Sequence, residues 1–152
     1  MEAHYTGLTL HLEHVFDAPR WLVFDACTEP ELLAKWWGPE GFTSPGIDSD
    51  LRVGGRYRIA MQPPDGELFY LTGEFREVDP PSRLAYTFLW EDPDPDDQET
   101  LVTIRLRAAA GESTEFALDQ GPFATQARHD LHHAGWTDGL VRLKEALRSA
   151  QG

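Results

Sequence analysis

Cysteine occurs once, at Cys27, so no internal disulfide can form and no paired-cysteine metal motif exists. Long apolar runs are missing as well: nothing approaches the roughly 20 residues that a membrane-spanning helix needs. The opening Met1-Glu-Ala-His-Tyr5 has neither the basic nor the apolar region of a secretory leader. A cytoplasmic location without a membrane partner is expected. Basic residues are scarce, with 13 Lys and Arg against 26 Asp and Glu for a formal net charge of −13, which repels phosphate backbones and disfavours a nucleic-acid partner. The chain also lacks a nucleophile elbow, a phosphate loop and a dinucleotide fingerprint. No cofactor or metal is expected.

What is present is enough apolar material for a core. With 152 residues, 41% of them hydrophobic, one domain over residues 8–150 is expected. A domain of this size buries about 70% of its unfolded surface.

Leu8 to Phe16 alternates as a first strand, with Leu8, Leu10 and Leu12 on one side. Asp17-Ala-Pro-Arg20 reads as a capped helix start, and Thr28-Glu-Pro-Glu31 as a second start with capping-box spacing. The second helix is expected to stop at Gly38-Pro39. Six further strands are expected at about 46–51, 55–62, 67–78, 83–91, 99–107 and 113–120, separated by Gly54-Gly55, Pro63-Pro-Asp-Gly66, Pro80-Pro81 and Ala110-Gly-Glu112. Tyr57, Ile59 and Met61, then Val102, Ile104 and Leu106, then Thr114, Phe116 and Leu118 alternate with polar neighbours, so one sheet face is apolar and the other wet. The only segment long enough to cover the apolar face runs from about Thr125 to Ala150. There Trp136, Leu140, Leu143 and Leu147 form a stripe, and His129 and His132 project onto it. Six carboxylates crowd Glu91 to Glu99 without the glycine-turned spacing of a calcium loop, and this stretch reads as a solvated hairpin loop.

Strand, two short helices, six strands and a long helix make an α+β helix-grip arrangement: a curved six- to seven-stranded antiparallel sheet around a C-terminal helix. Trp36-Trp-Gly-Pro-Glu-Gly-Phe42, Asp50-Leu-Arg-Val-Gly-Gly-Arg-Tyr-Arg58, Gly73-Glu-Phe through Pro80-Pro-Ser-Arg-Leu-Ala-Tyr-Thr-Phe88, and His132-His-Ala-Gly-Trp136 sharpen it. The pattern resembles stand-alone bacterial proteins similar to the C-terminal domain of the activator of the ninety-kilodalton heat-shock chaperone ATPase, within the START-like (SRPBCC) superfamily. The resemblance implies the fold over nearly the whole chain and allows a homodimer. It departs at Asp119-Gln120-Gly121, where such proteins often carry a histidine.

Fold does not fix function, so the site must be argued from its residues. Trp36, Trp37, Phe42, Tyr57, Met61, Tyr86, Phe88, Trp90, Trp136 and Leu140 are expected around a space between sheet and helix, with Arg76, His129 and His132 as polar candidates. Binding of a small hydrophobic or amphipathic molecule is the first expectation. A cyclase- or dehydratase-like reaction on a ketide-like molecule would use His129 and His132 with Glu74 or Arg76 and with Tyr57 opposite. A metal pair at His129 and His133 has the right i, i+4 spacing but no third ligand. A chaperone-cofactor role follows from the family name alone.

Overall fold

The computed structural model describes residues 8–151, and Met1 to Gly7, which include the stretch read for a leader, lie outside them. Ten elements follow in order: β1 (Leu10–Phe16), α1 (Arg20–Thr28), α2 (Pro30–Leu33), β2 (Ile47–Ser49), β3 (Arg56–Met61), β4 (Phe69–Asp79), β5 (Arg83–Trp90), β6 (Thr100–Ala109), β7 (Ser113–Gly121) and α3 (Gln126–Gln151). The strands form one antiparallel sheet in the order β1-β7-β6-β5-β4-β3-β2. This is the helix-grip architecture that the element order implies. No helix of the described residues is long and apolar enough to cross a membrane.

Strand alternation assigns the faces as expected. Tyr57, Ile59 and Met61, Val102, Ile104 and Leu106, and Thr114, Phe116 and Leu118 are all buried. The outer face carries ion pairs such as Arg58 with Glu91 and Arg107 with Glu115. These partly exposed pairs organise a wet surface more than they stabilise it. Trp136, Leu140, Leu143 and Leu147 form the buried stripe of α3, and Thr125 caps that helix by accepting a hydrogen bond from the Arg128 amide at 3.1 Å.

Both expected caps of the short helices are replaced by other contacts. The first helix begins after Pro19, whose carbonyl accepts from Leu22 and Val23, and Asp17 does not cap it. Thr28 belongs to the last turn of α1, where its hydroxyl donates to the Phe24 carbonyl at 2.9 Å. With that hydroxyl turned back into α1, the spacing to Glu31 makes no capping box, and Glu29 precedes α2 with Pro30 in its first turn. Local pattern lost here because the two helices abut.

Two backbone features shape the sheet. In β4 the register slips between Phe75 and Glu77, so Phe75 pairs with Tyr86 and Val78 with Leu84. The extra residue, Arg76, lets Phe75 and Val78 face the same way although they are three residues apart, and bends the longest strand. Gly73 lies opposite Tyr57. A Cβ there would stand 1.9 Å from the Thr87 carbonyl oxygen and 2.5 Å from the Tyr57 ring. The absent side chain is the space the tyrosine occupies.

Candidate ligand-binding cavity

The apolar sheet face and α3 do not meet along their whole length. At the N-terminal half of α3 they diverge around a cavity of about 400 Å³, within the size range of small-molecule sites.

Three tryptophans build one wall. Trp36 donates from its indole nitrogen to the Ala26 carbonyl at 2.8 Å. Trp136 donates to the side-chain oxygen of fully buried Gln120 at 2.7 Å, and Gln120 in turn donates to the Thr100 hydroxyl at 2.8 Å. The indole N–H groups of Trp36 and Trp136 are therefore satisfied in the core, and the rings offer hydrocarbon to the wall. Trp37 meets Trp136 edge to face at 5.2 Å, and Trp36 lies 5.7 Å from Trp37. The chain reaches this arrangement through Gly38, which turns at φ +94°, and α3 passes with Gly139 beside Trp36. Arg142 ties the loop down by donating to the carbonyls of Gly38 and Pro39.

The sheet side of the cavity is Met61, Phe69, Phe88 and Trp90, joined by Phe42 from the loop before β2. Phe69 packs against Trp90 at 5.3 Å and Phe42 at 6.2 Å, and Phe88 against Trp90 at 5.2 Å.

His132 is the polar group on the inner wall. Its imidazole packs against Phe123 at 4.9 Å, Phe88 at 5.3 Å and Trp90 at 6.0 Å. Burial, with a smaller contribution from Arg128, pushes its pKa down to about 4, so the ring is neutral at pH 7. The unfolded chain takes up a proton near pH 6.5 that the folded protein refuses until about pH 4. Stability is therefore expected to fall as pH drops through that window, by up to about 3 kcal/mol in all. Thermal melts of wild type and His132→Phe between pH 5 and 7 check it. The variant should lose most of the decline, whereas the carboxylates whose pKa is lowered, Glu91, Asp96 and Asp130, act only at lower pH.

The mouth lies under the acidic connection between β5 and β6. Most of this loop is exposed, as expected of a solvated connection, but its middle is anchored. Arg128, only 15% exposed, approaches Asp96 at 3.1 Å and Asp97 at 3.3 Å and also pairs with Asp94. The Asp97 side chain is 7% exposed and accepts from the Asp94 amide at 2.8 Å. Opposite charges more than 30 residues apart meet here, which no local pattern announces.

Of the thirteen residues expected around a ligand, Trp36, Trp37, Phe42, Met61, Phe88, Trp90, His132 and Trp136 line this cavity, and five do not. Tyr57 is buried across Gly73 and donates to the Thr87 carbonyl at 2.6 Å; Tyr86 packs edge to face on it at 5.3 Å, and burial raises both phenol pKa values. Leu140 is in the core beyond the tryptophans. Arg76 is exposed at the bulge, with Glu74 3.7 Å away. His129 sits one turn before His132 against Phe123, hydrogen-bonded to Gln126 and Asp130, with its ring stacked on His133 at 6.1 Å. The constellation of histidine, Glu74, Arg76 and Tyr57 is thus not assembled. Among the described residues no group of three or more potential ligands could hold a metal. Sequence reading missed Phe69, which the alternation through Leu71 could have found, and the mouth residues Asp92, Asp94, Asp97, Arg128 and Leu131, which have no such signal.

A sheet gripping a helix over an aromatic-walled cavity defines the START-like helix-grip class. The chain belongs to the family described as activator of Hsp90 ATPase homolog 1-like protein, whose model matches residues 17–148. It is similar to a solved protein from Nitrosomonas europaea at 30% identity, covering 95% of this chain and 97% of that one, with a TM-score of 0.81. A protein from Chromobacterium violaceum follows at 26% identity, 92% and 96% coverage and a TM-score of 0.82. A family protein from Silicibacter pomeroyi has 26% identity, 93% and 99% coverage and a TM-score of 0.81. No curated protein matches.

Proposed function

We propose that this protein binds a small hydrophobic or amphipathic molecule in the cavity between the sheet and α3. The observation that carries the reading is a space of about 400 Å³ between tryptophan and phenylalanine walls, of which Trp36 and Trp136 are anchored by hydrogen bonds in the core. Burial of ligand apolar surface there supplies about 25 cal/mol per Å² before the costs of association. The walls are pre-ordered by the Trp36, Trp136 and Arg142 hydrogen bonds, so little additional ordering opposes binding.

Titration with the neutral dye N-phenyl-naphthylamine tests the reading: a saturable fluorescence rise at one dye per chain is expected. Gly135 lines the cavity, and a Cβ there would be 3.7 Å from Pro39. Gly135→Leu should fill the space and weaken dye binding by about tenfold or more. The same substitution removes a mid-helix glycine, so the melting temperature should hold or rise. No saturable binding by wild type, or unchanged affinity in the variant, would sink the assignment.

A further inference from the structure

The cavity mouth carries a surplus of negative charge at the point where a ligand's polar end must sit. Asp92, Asp94 and Asp97 line it; Asp94 and Asp97, with Asp96, pair with the single Arg128, and Asp92 adds a fourth carboxylate at the mouth. The other nearby cations do not redress this. Arg142 is turned onto the carbonyls behind the tryptophan wall, Arg58 is engaged by Glu91 on the outer face, and His132 is neutral. Walls of low dielectric focus the field of the mouth, and the chain's net charge of −13 reinforces it at long range.

Resting on the ligand-binding reading above, we propose that the cavity selects molecules with an apolar or aromatic body and a cationic head, such as an ammonium, and discriminates against carboxylates. Arg128 fits this role as an organiser of the acidic loop. Its Nε is engaged by Asp96 and Asp97 and its Nη2 by Asp94, so an incoming anion would have to compete with three carboxylates already around the one guanidinium. The apolar body would lie between the tryptophan wall and Phe88 and Trp90, with the head emerging beside Asp92 and Asp94.

Competition against bound N-phenyl-naphthylamine by three matched compounds tests the proposal: naphthylmethylamine as its cation, neutral naphthylmethanol, and naphthoate. At pH 7 and low salt the cation should displace the dye about tenfold more effectively than naphthoate, with the alcohol between them. Added salt should narrow the gap, because the mouth charges are partly exposed. Asp92→Asn with Asp94→Asn leaves Asp96 and Asp97 to hold Arg128 and should remove most of the preference. Equal displacement by all three, or stronger displacement by naphthoate, overturns the charge selectivity while leaving the cavity reading intact. A cation preference that survives the double variant overturns its assignment to the mouth. Absence of dye binding altogether is the separate failure of the cavity reading.

Discussion

Gly73→Ala is expected to destabilise the protein by at least about 3 kcal/mol, which makes it among the most damaging single-methyl additions available. A Cβ at this position would stand 1.9 Å from the Thr87 carbonyl oxygen, a backbone atom held by the pairing of β4 with β5. It would also meet the Tyr57 ring, whose hydroxyl donates to that same carbonyl. The ring could swing away at a cost, but the carbonyl cannot move without parting the two strands. Tyr57→Phe provides the contrast: it keeps the ring over Gly73 and removes one buried hydrogen bond, costing about 1 kcal/mol. Denaturant titrations should show a large fall in midpoint for Gly73→Ala with a similar slope, and a small one for Tyr57→Phe. A loss below 1 kcal/mol for the alanine variant would mean that β4 and β5 are not spaced as described.

Trp36→Ala is expected to cost about 3–5 kcal/mol and to weaken dye binding as well. Trp36 is 1% exposed and fills the junction between α1, the Trp37-Gly38-Pro39 loop and Gly139 of α3. Truncation leaves a void beside Gly139, which has no side chain to fill it, and strands the Ala26 carbonyl without its indole donor. Trp37 and Trp136 then lose the ring that holds them edge to face. Trp36→Phe keeps a ring but not the donor, so an intermediate loss is expected. Melting curves and dye titrations on both variants check the ordering. A dye affinity unchanged in Trp36→Ala would show that the tryptophan wall does not form the binding surface.

The residues that were misplaced by sequence reasoning share a cause. Tyr57 and Tyr86 lie on the correct face of the sheet, as alternation indicated, yet they occupy the closed part of the core. Where a sheet and a helix separate depends on the bend at the Arg76 bulge, the turn at Gly38 and the tryptophan anchors together. Arg76 is the bulge residue itself, so its orientation follows from a register slip that alternation cannot register. His129 and His132 are three positions apart on one helix, close enough to share a stripe, but only His132 reaches between Phe88 and Trp90.

The order of elements, the buried face of each long strand, the α3 stripe and the family were legible in the chain because each rests on short-range periodicity and turn chemistry, which neighbouring residues impose on one another. The tertiary structure alone decided where the cavity opens, which aromatics line it, and that the acidic loop is drawn onto Arg128. Those outcomes depend on packing and charge pairing between residues far apart in sequence, and such contacts leave no local period to read.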